Sequence, residues 1–151
     1  MLRDDIKSAL TIAMKGKDKQ GVSTLRLIMA AIKDRDIAAR GKGVTNGIVD
    51  DEILSLMQSM VKQRRESIEM YEKGRRTELA QKEAEEILVI ETFMPTQLNA
   101  DGVTVAIDEA INATSAKSIK DMGKVMGHLK GKYAGRMDFG KAGAAIKNRL
   151  G

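Results

Sequence analysis

Apolar residues recur at helical spacing along almost the whole chain, and a single proline, Pro95, interrupts the pattern. Leu2, Ile6, Ala9, Leu10, Ala13 and Met14 mark one stripe; Val22, Leu25, Ile28, Met29 and Ile32 mark the next. Aromatic residues are scarce, whereas Met and Ala are plentiful, a composition suited to helices packed through small and flexible side chains. The pattern predicts an all-α protein.

Glycine and acidic residues place the helix ends. Gly16 closes the first helix, and the second persists to Arg40, where Gly41, Gly43 and Asn46-Gly47 supply terminators and a turn. Asp50, Asp51 and Glu52 suit the first turn of a long helix that buries Ile53, Leu56, Met57, Met60, Val61, Ile68 and Tyr71, with Glu69 and Lys73 as an outer i,i+4 pair. A fourth helix is predicted from Thr77 to Met94, with Leu79, Ile87, Leu88, Ile90 and Met94 facing inward and Pro95 as its stop. Beyond it, Asn99 or Asp101, Ser118 with Asp121, and Asp138 are read as the starts of three short helices. The expected organisation is an N-terminal helical domain of about four helices, residues 1–95, joined by a hinge to a small three-helix tail module, residues 96–151. The tail module is near the lower size limit for independent stability and should be the less stable of the two.

Several chemistries are unsupported. Without cysteine there is no disulfide, no thiolate metal site and no thiol nucleophile. His128 is the single histidine and has no carboxylate at ligand spacing, so neither a metal nor a cofactor is expected. Gly41-Lys42-Gly43 and Gly131-Lys132-Tyr133 lack the Ser/Thr and the preceding strand of a phosphate loop, and Ser67, Ser115 and Ser118 lack a base. No catalytic residue is assigned. The longest aliphatic run is Ile87 to Ile90, far short of the ~18 residues of a membrane span, and acids at Asp4 and Asp5 argue against a targeting segment. A cytoplasmic protein without membrane contact is expected.

Charge singles out the tail. Residues 115–151 carry nine Lys/Arg against Asp121 and Asp138, a net of +7 in a chain whose total is +5. Glycines sit between those charges and leave the backbone open to a partner. This points to a polyanion, structured RNA above all, recognised through backbone and shape because only Tyr133 and Phe139 are available for stacking. Lys62, Arg64 and Arg65 form a second, weaker basic surface, with Glu66, Glu69 and Glu72 as expected intrahelical partners. The acids Glu83, Glu85, Glu86 and Glu91 read as a solvated helix face.

These residues, in order, resemble the YqeY family, stand-alone relatives of the C-terminal part of the B subunit of aspartyl/glutamyl-tRNA amidotransferase. The resemblance rests on Lys15-Gly16-Lys17-Asp18-Lys19 with Leu25-Arg26, on Lys62-Gln63-Arg64-Arg65-Glu66-Ser67-Ile68 with Tyr71, on Pro95, Gln97 and Leu98, and on Asp121-Met122-Gly123-Lys124-Val125-Met126-Gly127 with Gly135-Arg136 and Lys141. It implies tRNA or another structured RNA as partner. Lys124, Lys130, Lys132, Arg136 and Lys141 would then lie nearest the RNA, with Gly123, Gly127 and Gly135 allowing close approach. A translation-related protein partner is the alternative, as is an accessory role beside a carbon–nitrogen ligase that uses glutamine as amide donor. The chain departs from the family pattern at Met137-Asp138-Phe139, where an Ala-Asp type segment is usual, and in its last helix at Ala142-Gly143-Ala144-Ala145, where bulkier aliphatic residues are common.

Overall fold

Asp18 turns the chain from its first helix into its second. In the computed structural model, which describes residues 1–151, α1 (Leu2–Lys15) ends at Gly16, and the Asp18 carboxylate accepts the Gly21 amide at 3.0 Å to start α2 (Lys19–Arg40). Glycine at position 21 leaves room for that cap, since a Cβ there would fall 2.3 Å from the Asp18 Oδ2 and the carboxylate would have to shift. Leu25, Ile28 and Ile32 of α2 then face Ile6 of α1 in one buried cluster.

The loop after α2 is tied back by one ion pair. Arg3 donates to both oxygens of Asp36, at 2.7 and 3.0 Å, and also to the Ile48 carbonyl, while the Ile48 amide donates to Asp36 at 2.9 Å. Ile48 is thereby buried just before α3 (Asp50–Lys73), whose first turn carries Asp50, Asp51 and Glu52 at the positive end of its dipole. Ile53, Leu56, Met57, Met60 and Val61 enter the core, whereas Ile68 and Tyr71 are only half-buried.

The fourth helix, α4 (Thr77–Glu91), stops three residues earlier than its apolar pattern suggests. Thr92, Phe93 and Met94 continue as tighter i to i−3 turns, donating to Val89, Ile90 and Glu91, because the residue before Pro95 is excluded from the α region. Leu88 is 66% exposed, contrary to expectation. Four consecutive aliphatic residues cannot all face one side of a helix, and the core takes Ile87 and Ile90. Met14, the last residue of the first apolar stripe, is likewise exposed.

The acidic face of α4 also differs from the expectation. Glu86 is buried and accepts from Arg64 Nε at 2.9 Å, and Glu91 accepts from Arg65 at 3.2 Å. Arg64 and Arg65 of α3 are therefore neutralised by the next helix and not by Glu66, Glu69 or Glu72; Glu69 and Lys73 form no ion pair. Sequence spacing alone favours i,i+4 partners, but packing of α3 on α4 brings these acids closer.

The chain divides into two compact units, Met1–Met94 and Pro95–Gly151. In the second, Asn99 caps α5 (Ala100–Thr114) through the Gly102 amide, and Asp121 accepts from the Lys117 and Ser118 amides to open a 3-10 turn (Ile119–Asp121) that leads into α6 (Met122–Tyr133). Asp138 caps α7 (Phe139–Leu150) through the Gly140 and Lys141 amides. Ala106, Ile107, Ala110, Val125, Leu129, Met137, Ala142 and Ile146 form its core. Ile119 is exposed because it sits in the 3-10 turn and not on the α6 stripe. The small residues of α7 have a packing reason, since a Cβ on buried Gly143 would lie 3.4 Å from Met122 Cε. All seven α-helices and the absence of any strand agree with the all-α reading.

Candidate nucleic-acid interface

The second unit carries nine Lys/Arg and five Asp/Glu, a net of +4. Its basic residues are less free than their neighbourhood in sequence implies. Three of the five acids lie on α5, upstream of every basic residue in the unit, and two of them reach across to pair with the tail.

Glu109 is the centre of this arrangement. It pairs with Lys132, accepts from the Tyr133 hydroxyl at 3.3 Å, and lies 4.0 Å from His128 Nε2. The Lys132 hydrogen bond holds the Glu109 carboxyl below the usual glutamate range, and Glu109 in turn raises the Lys132 ammonium. Asp108 pairs with Arg149. The Tyr133 ring is flanked by Lys132 and Arg136, at 5.6 and 5.7 Å from its centre, and Arg136 Nε donates to the Thr96 carbonyl at 3.0 Å. Lys132 and Arg136 therefore hold α5, α6 and the segment after Pro95 together, whatever else they contact.

Lys124, Lys130 and Lys141 are exposed and form no ion pair. The first two flank the most unusual surface of the unit. Gly123, Gly127 and Gly131 recur every four residues on the side of α6 turned away from Val125 and Leu129, and a Cβ added at any of them would meet nothing within 4 Å. Each glycine costs a helix about 1 kcal/mol relative to alanine. Nothing within the unit requires them.

Gly135 belongs elsewhere. It is buried, its φ of +73° is the left-handed conformation glycine adopts without strain, and its carbonyl accepts from Gln97. The turn accounts for its identity. Of the second basic surface, Lys62 is exposed, whereas Arg64 and Arg65 are taken by Glu86 and Glu91 in the first unit. The continuous glycine face escaped the sequence reading, which treated these glycines as looseness between charges. Their i,i+4 spacing was the available signal.

No three His, Asp or Glu side chains converge to hold a metal ion, and no helix is long and apolar enough to cross a membrane. His128 Nε2 is enclosed without a hydrogen-bond partner.

A family signature described as Yqey-like protein matches residues 3–150. The chain belongs to the YqeY family. Among curated proteins, this YqeY chain is similar to "Altered inheritance of mitochondria protein 41, mitochondrial" of Eremothecium gossypii, 35% identical over 89 residues that cover 59% of the chain and 46% of the relative. The Kluyveromyces lactis protein of that name is 27% identical over 117 residues, covering 78% and 58%, and a Saccharomyces cerevisiae one is 23% identical over 155 aligned positions, covering 99% and 79%. The match spans about half the length of the first of these relatives. Their names correct the cytoplasmic expectation: relatives of a YqeY chain are mitochondrial proteins, so acids near Met1 assign no compartment.

Proposed function

We propose that this YqeY protein is a non-catalytic binder of structured RNA, with tRNA as the first candidate, and that the exposed glycine face of α6 is its docking surface. The observation that carries the reading is the coincidence of Gly123, Gly127 and Gly131 with the unpaired Lys124 and Lys130 on one helix of a unit with net charge +4. Backbone without side chains admits a sugar-phosphate strand closely, and lysines beside it neutralise phosphates. Lys141 joins this set as an exposed, unpaired lysine of the same unit, whereas Lys132 and Arg136 are engaged with Glu109, Tyr133 and Thr96. The resemblance of the tail to the amidotransferase B subunit supports tRNA as the folded RNA.

The finer organisation belongs to the same proposal. Residues 95–151 act as the binding module and residues 1–94 as a separate helical domain, a division supported by two hydrophobic clusters that share no residue.

Filter binding of unmodified tRNA across a salt series tests the function. If three or four lysines each neutralise one phosphate, the slope of log K against log salt is about −3. No retention at low salt, or a flat dependence, overturns the reading; glutaminase or ATP turnover by the purified chain would replace it with catalysis.

A further inference from the structure

The Lys15-Gly16-Lys17-Asp18-Lys19 segment lies far from α6 in sequence and in the other unit, and RNA binding leaves it unexplained. It borders an open groove of about 720 Å³ where α1 gives way to α2. We propose that this groove docks an acidic amphipathic helix from a partner protein.

The floor of the groove is apolar. Met14, Val22 and Leu27 line it, and Met14 and Leu27 are 48% and 45% exposed, so hydrophobic surface remains there for a partner to cover. Its rim is cationic. Lys17, Lys19 and Arg26 all line the groove and none forms an ion pair; the Arg26 guanidinium instead rests 3.9 Å from Met14 Sδ. Asp18 is the single acid in the lining, and its carboxylate is turned to the Gly21 amide as the α2 cap.

An apolar concavity ringed by positive charge is complementary to a helix with an apolar stripe at i, i+3 or i+4, and i+7 between Asp and Glu residues. RNA is a poorer occupant, because no aromatic side chain lines the groove for stacking.

The test is a displayed library of random peptides of four helical turns, about 14 residues, selected on the intact chain and counter-selected on its Leu27→Asp variant. The expected result is enrichment of peptides that combine the apolar spacing with excess Asp and Glu. A synthetic copy of the leading peptide should bind about tenfold more weakly to Leu27→Asp, consistent with loss of one buried aliphatic contact, and several-fold more weakly to Arg26→Glu. Should Leu27→Asp lose its fold, Ser23→Tyr at an exposed position fills the same groove and should abolish peptide binding alone. No enrichment, enrichment of basic or unpatterned peptides, or equal affinity for the variants overturns the proposal. So does groove-dependent binding of tRNA or of phosphatidylglycerol vesicles, which would assign the site to RNA or lipid.

Discussion

Arg64 and Glu86 meet at 2.9 Å between α3 and α4 with only 13% and 10% of their side chains exposed. Arg64 also donates to the Met60 carbonyl of its own helix at 3.2 Å, so the guanidinium is held from both α3 and α4. A charge this enclosed is tolerated because its partner is present.

Removing one partner should therefore cost more than removing both. Glu86→Ala leaves Arg64 without its carboxylate and is expected to lower stability by about 2–3 kcal/mol. The double variant Arg64→Met/Glu86→Leu should recover much of that loss. Urea unfolding of both variants checks it, and a double variant no more stable than Glu86→Ala would refute the account.

Arg3 and Asp36 should make stability acid-sensitive. The Arg3 hydrogen bond holds the Asp36 carboxyl below its usual range, with the Ile48 amide adding to the effect. A carboxylate with a depressed folded-state value contributes fully above the unfolded value, near 3.9, and loses that contribution as pH falls through the folded one. Arg3→Leu is expected to be about 1–3 kcal/mol less stable than the parent at pH 7. The gap should narrow below about pH 4, as read from urea midpoints measured against pH.

Alanine on the glycine face separates stability from binding. Gly127→Ala meets no neighbouring atom, so it should stabilise the second unit by about 0.5–1 kcal/mol. The same change should weaken tRNA binding by blocking close approach. Higher stability with unchanged affinity would show that RNA does not use this face.

Charge reversal should rank the lysines. Lys124→Glu and Lys130→Glu alter unpaired exposed groups and should weaken tRNA binding with no loss of fold. Lys132→Glu instead places two acids together at Glu109, so it should lower the melting temperature as well. A Lys132 variant that alone abolishes binding at full stability would move the phosphate site onto Tyr133 and its neighbours.

Amide exchange on the intact chain should distinguish the two units. The core of Pro95–Gly151 rests largely on alanine and a few aliphatic side chains, whereas Met1–Met94 buries a larger set of Ile, Leu and Met. Protection in α5 to α7 is expected to be lower than in α2 and α3. Uniform protection would argue for a single cooperative structure.

The legible part of this protein is what short-range physics decides. The capping carboxylates Asp121 and Asp138 act on amides within four residues, so their roles can be seen in a linear string. Leu88 shows the limit: its hydrophobicity is plain, but the direction it faces depends on which neighbour of an aliphatic run the core admits. Lys132 shows the same limit for the candidate interface, because its partner Glu109 lies 23 residues upstream, where no local charge count would look.

By itself the sequence determined that the chain is helical and where most of those helices begin, since periodicity, caps and glycines act over a few residues. Tertiary structure alone decided which charges are spent and which are free. Coulomb attraction falls with distance through space and takes no account of separation along the chain. Packing thus gave Arg64 to Glu86 and Lys132 to Glu109, and left Lys124 and Lys130 exposed beside a bare helical backbone.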